Sequence, residues 1–169
     1  MSDTAPQVLF FADDGTFPNS PLPVLVYCEP DAAIAASAEA MEAHLSRNQW
    51  RPLWRDTVFA YHHYHSKAHE TLGVIAGQAT LQLGGPNGEY IHVARGDIIV
   101  IPAGVAHRRV VASHDFALVG AYPHGQEDWD VLRGLPGERP AADGRIAGLS
   151  LPAADPVTGG SGALMTLWC

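Results

Sequence analysis

The rhythm of apolar and polar positions changes twice along the chain. Near the N-terminus, apolar clusters alternate with turn formers: Val8-Leu9-Phe10-Phe11, Asp13-Asp14-Gly15, Pro18-Asn19-Ser20-Pro21, then Leu25-Val26-Tyr27. This pattern predicts an extended arm. From Asp31, a good N-cap, Ile34, Ala38, Met41 and Leu45 recur at helical spacing through an alanine-rich run, which predicts one helix over 32–47. After Trp50 the apolar runs become short and β-like, and they predict strands over 58–65, 69–76, 79–83, 90–94, 98–101, 107–112 and 116–122. Gly84-Gly85-Pro86-Asn87-Gly88 reads as a hairpin loop, and Gly77, Gly96 and Gly104 punctuate other strand ends. Residues 125–169 are rich in glycine and proline with weak periodicity, yet Ile146-Ala147-Gly148-Leu149 and Leu164-Met165-Thr166-Leu167-Trp168 are apolar enough to dock. A tail wrapped on the strands is predicted.

The elements add up to an all-β class, a sandwich or closed barrel, in a single domain over 1–169. Its core spans about 50–124, the arm and helix 1–49, and the tail 125–169. With 47% hydrophobic and 17% charged residues, the chain has enough apolar matter for a packed core. Eighteen acidic against ten basic residues give a formal net charge of -8, so the basic surface that attracts nucleic acid or anionic lipid is missing and neither is an expected partner. Met1-Ser2-Asp3-Thr4 carries no positive flank ahead of an apolar stretch, and no apolar run approaches the ~18 residues of a membrane helix, which leads to the expectation of a cytoplasmic protein. Cys28 and Cys169 fit no disulfide framework or zinc ribbon and are expected as one buried and one terminal thiol.

The chemistry is concentrated in the histidines. His62, His63, His65 and His69 crowd into a segment that otherwise reads as a strand and a tight turn. On a strand, Phe59, Tyr61, His63 and His65 share one face, while Ala60, His62 and Tyr64 share the other. The next strand puts Glu70, Leu72 and Val74 on one face and His69 and Thr71 on the other. A lone carboxylate inside a barrel costs several kcal/mol unless it is paired or bound to a cation, and two imidazoles facing it supply further ligands for a divalent metal. Downstream, His107 follows Gly96, Pro102 and Gly104 and offers a fourth ligand. His69 could stand in for Glu70 if the turn is distorted, but strand parity favours Glu70.

His63-x-His65, four residues to Glu70 and six more to Gly77 resembles the first motif of the cupin superfamily, in its germin-like spacing. Gly96, Pro102, Gly104 and His107 stand at the spacing of the second. The string Tyr61-His62-His63-Tyr64-His65 and the chain length are similar to the YjlB-like bacterial single-domain cupins. Two positions depart from the pattern: Thr57 stands where a glycine opens the first motif, and Val111 where an asparagine closes the second. The resemblance implies a double-stranded β-helix, the cupin or jelly-roll barrel. It also implies one divalent ion of manganese, iron, nickel, cobalt or zinc on His63, His65, Glu70 and His107.

Four protein ligands on an octahedral ion leave two open positions, and a net positive centre favours a small, anionic ligand. Arg109 shares parity with His107 and can fork onto a substrate carboxylate; the alternative is an outward arginine paired with an acid. Tyr61 can donate a proton or hydrogen bond near the metal, or simply pack. His44, His92, His114 and His124 lack partners at ligand spacing, Asp97 reads as a turn residue, and Trp50 and Trp54 read as core aromatics. The expected function is an enzyme oxidising, decarboxylating or isomerising a small organic acid or sugar-derived metabolite. The alternative is non-catalytic, metal-assisted binding or sensing of a small ligand. The family further implies a homodimer that exchanges N-terminal strands, for which Val8–Phe11 is long enough.

Overall fold

A computed structural model describes residues 5–169. Among them, strands β1 (Gln7–Phe11), β2 (Ser20–Tyr27), β3 (Trp50–Asp56), β4 (Glu70–Ala76), β7 (Ile98–Ile101) and β9 (Ala117–Pro123) form one antiparallel sheet in the order β1-β2-β7-β4-β9-β3. Strands β5 (Gln78–Leu83), β6 (Glu89–Ala94) and β8 (His107–Ala112) form a smaller sheet, β6-β5-β8. The two face each other as a jelly roll, as the all-β reading expected. Between them lie Val24, Val26, Leu72, Val74, Ile99, Ile101 and Leu118 of the large sheet and Leu81, Leu83, Ile91 and Val93 of the small one.

The large sheet is buried on both faces. Its outer face carries Leu25, Tyr27, Ile98, Val100, Val119 and Ala121, packed against Met41, Leu45, Trp50, Leu164 and Trp168. That double burial explains the unbroken run Ile98-Ile99-Val100-Ile101, in which alternation has no polar face to serve. The cover comes from α1 (Ala38–Arg47) and from the tail, whose short helices are α2 (Ala141–Ala147) and α3 (Ala163–Leu167). Gly73 admits α1: a Cβ there would lie 2.6 Å from Met41 Sδ.

Several elements differ from expectation. The extended arm is a hairpin, β1 and β2, hydrogen-bonded through β2 to β7 within the same sheet. The predicted helix is interrupted: a 3-10 turn at Ile34–Ala36 ends at Ser37, which turns to extended backbone and caps α1 through its hydroxyl on the Ala40 N–H at 3.0 Å. Asp31 caps only the turn. The strand expected over 58–65 is a loop touching its neighbours at single points, and the strand of this region is β3. β3 hides from pattern reading because it is a sheet edge with Arg51, Arg55 and Asp56 exposed and Pro52 beside its register shift. Cys28 is exposed, not buried, because it lies just beyond the end of β2. No helix of the described residues is long and apolar enough to cross a membrane.

Candidate metal centre

The loop carrying the first two histidines is anchored on both sides. His63 exchanges backbone hydrogen bonds with His107 at 3.2 and 2.9 Å, and the next residue, Tyr64, does the same with Leu132 of the tail at 2.8 and 2.9 Å. Asp130 fixes the following turn by accepting from the N–H groups of Ser66 and Lys67 and from the Ser66 hydroxyl. His63 and His65 therefore face the start of β4, where Glu70 points inward, and the start of β8, where His107 does.

Each imidazole is oriented by a carbonyl, which can only accept. His63 Nδ1–H donates to Tyr61 O at 3.1 Å, His107 Nδ1–H to Val105 O at 3.0 Å, and His65 Nδ1–H to Asp130 O. This fixes the three Nε2 atoms as the inward-facing nitrogens. One ligand nitrogen from each of these histidines lies within 4.8 Å of the other two, a span that one ion ~2.1 Å from each nitrogen can bridge with slight closure. Glu70 completes the group: Oε2 lies 3.2 Å from His65 Nε2 and Oε1 3.1 Å from His107 Nε2. These approaches are too oblique for hydrogen bonds, and both Nε2 atoms are buried without a hydrogen-bond partner. Buried nitrogen acceptors left unpaired beside a carboxylate are what a cation would satisfy, so the residues fit a divalent metal.

The electrostatics agree with the donor set. Burial, with His107 and His65 acting in the same direction, pulls the His63 pKa down to about 2, so the ring is neutral. Burial also opposes charge on His65, but the Glu70 carboxylate outweighs it and holds the pKa above the ordinary value. Burial alone would raise Glu70, yet His65 and His107 bring it well below the usual carboxylate range. A divalent ion would supply, in place of a protonated His65, the positive charge that stabilises the Glu70 carboxylate.

Behind Glu70 runs a hydrogen-bond relay. Tyr122 Oη donates to Glu70 Oε2 at 2.7 Å, and Trp54 Nε1 donates to Tyr122 Oη at 2.8 Å. Burial and the adjacent carboxylate push the Tyr122 phenol up, which keeps it a donor. Trp129 stacks on Tyr122 with ring centres 5.4 Å apart and planes within 6°. Trp54 fits only because position 120 is glycine: a Cβ there would lie 2.1 Å from the indole ring.

The structure thus brings His63, His65, Glu70 and His107 to one point and leaves other candidates aside. His69 faces the opposite way; its Nδ1 accepts the Ala103 N–H at 2.9 Å and its ring tilts against Trp168. Arg109 keeps its parity with His107, but one strand repeat further along it lies beyond the cavity wall and donates to Thr57 Oγ1 at 3.1 Å. Tyr61 is also outside the lining, its ring stacked on Phe59 and covered by the Arg133 guanidinium 3.7 Å from the ring centre. Trp54 is partly buried, packed against the core as expected and also forming a wall of the site. Tyr122, Trp129 and Asp130 went unseen in the sequence. Nothing in the weakly periodic tail marks a residue whose backbone oxygen meets His65.

The profile of the cupin domain family matches residues 56–119, the stretch that holds all four converging side chains. The chain belongs to the cupin family. Within it, the chain is similar to the "Uncharacterized protein YjlB" of Bacillus subtilis (strain 168), with 41% identity over 165 residues and 96% of each chain covered. Solved structures that match part of this chain include procruciferin, an 11S globulin from Brassica napus, at 20% identity and TM-score 0.39, covering 47% of this chain and 21% of that one. Another is a predicted oxalate decarboxylase from Thermotoga maritima, at 16% identity and TM-score 0.36, covering 72% and 94%.

Proposed function

We propose that this protein is a metal-dependent enzyme acting on a small organic acid, with one divalent ion of manganese, iron, nickel, cobalt or zinc held by His63, His65, Glu70 and His107. The observation carrying this reading is the convergence of three carbonyl-locked imidazoles and one buried carboxylate on a cavity of ≈ 350 Å³. Bound there, the ion would act as a Lewis acid and offer open coordination positions to a substrate oxygen. The chain's own residues would set the geometry. The three carbonyls hold the rings, Tyr122 and Trp54 orient Glu70, and the apolar wall formed by Val58, Leu72 and Trp129 limits access of water.

Elemental analysis of protein purified without added metal or chelator tests the reading, followed by turnover of small organic acids, with oxygen uptake as one readout. About one equivalent of metal is expected, lost in His63→Ala and His107→Ala with the barrel still folded. Full metal retention in both variants would falsify the site; a metal-bound protein without turnover would leave binding and take away catalysis.

A further inference from the structure

Away from the ligand atoms, the cavity around the candidate metal centre has an unusual wall. Trp54, Val58, Phe59, Leu72 and Trp129 make up most of it, and among the described residues no lysine or arginine lines it. Arg109, the cation that could have faced a second substrate charge, is engaged with Thr57 behind the wall. The added polar side chains are Asp56 and Thr57, and the Asp56 carboxylate repels a further negative charge. A sugar or a polycarboxylic acid would leave its hydroxyls or extra charges without partners on such a surface.

Both tryptophans are also held rigid. Trp54 is tied by its N–H to Tyr122 and seated on Gly120, and Trp129 lies face to face with Tyr122. Phe59, 45% exposed, stands at the opening, stacked on Tyr61. Fixed aromatic rings give a flat apolar body offset-stacked or edge-on contacts at little entropic cost. At ≈ 350 Å³ the cavity is near the small end of ligand sites, which run from roughly 300 to 1,000 Å³.

We infer that the substrate is a monoanionic acid with a flat, apolar, preferably aromatic body, its one oxygen-rich head directed at the histidine–glutamate cluster and its body against Trp54, Trp129 and Phe59. This rests on the metal-dependent reading above and narrows it, removing sugar-derived and polycarboxylate compounds from the substrate class.

The test holds the chelating head constant and varies the body. Protein reconstituted with manganese(II), its metal content measured, is titrated with mandelate, lactate, glycerate and tartrate, all 2-hydroxy acids, by calorimetry and by tryptophan fluorescence. Mandelate is expected to bind at least about tenfold more tightly than lactate or glycerate and to perturb the fluorescence, with tartrate weakest. Trp129→Ala should abolish the preference with metal retained. Phe59→Ser, at the exposed mouth, should reduce it and guards against a misfolded tryptophan variant. Equal affinities across the four acids in metal-loaded protein overturn the substrate class alone. Failure to take up any of manganese, iron, nickel, cobalt and zinc overturns the underlying reading, and the inference with it.

Discussion

His69 and Glu70 are chain neighbours with opposite fates, and the difference is the two-residue period of a strand. Both are almost fully buried, at 3% and 2% exposed, but Glu70, the first residue of β4, turns toward the other ligands and His69, in the extended chain just before it, toward Ala103 and Trp168. Alternation could be read from the sequence here because β4 is a true strand. His63 and His65 also converge, but not for the strand parity that the sequence offered; single backbone contacts to His107 and Leu132 hold their loop. Burial alone brings the His69 pKa down to about 4, so the folded state binds this proton less readily than the unfolded chain. Stability is then complete above the unfolded value of 6.5 and falls as the pH drops from there toward 4, by about 3 kcal/mol. His69→Asn keeps an acceptor for Ala103 and cannot titrate. In urea unfolding of metal-free protein it should lose about 3 kcal/mol less than the parent between pH 7 and 4. Parallel stability curves for the two proteins would mean that His69 is not buried neutral.

Among the elements, the ones with regular patterns were the readable ones. β7 and β8 have the predicted bounds, and β4, β5, β6 and β9 differ by a residue or so at their ends. β3 was missed for the reasons that suit it to its place: an edge strand needs exposed charges, and the proline beside its register shift masks the period. The omission concealed Trp54, and with it the relay to Glu70. The strand opposite makes that relay possible, since Trp54 pairs with Gly120 across β3 and β9. Gly120→Ala should therefore push the indole off the sheet, with tryptophan fluorescence shifted to the red. We expect stability lower by about 1–3 kcal/mol from overpacking, and metal affinity weakened about tenfold through loss of the relay. An unchanged emission spectrum would show that Trp54 has room the geometry denies it.

For the whole molecule, the tail is part of the core. Trp168 is 3% exposed, donates its indole N–H to Pro23 O at 2.9 Å and covers His69. Buried Asp155 accepts from Tyr27 Oη at 2.5 Å and from the Val157, Thr158 and Leu164 N–H groups, tying the loop before α3 to β2. The sequence offered only apolar residues at the tail's ends; where they dock is decided by the outer face of a sheet that no local pattern describes. Trp168→Ala should cost about 3–5 kcal/mol and lower the melting temperature by about 10 °C in a calorimetric scan, with metal content preserved. A shift of a degree or less would mean that the tail is dispensable.

The same docking sets an order of events during synthesis. β2 meets Asp155 and Trp168 across separations of 128 and 145 residues, so the part of its outer apolar face that α1 leaves to the tail stays uncovered until the tail is made. At the usual pace of translation that interval is on the order of ten seconds. During it the nascent chain presents a greasy strand to the crowded cell. Docking of the tail is therefore a late step of assembly, and this protein should depend on chaperones more than its small size implies.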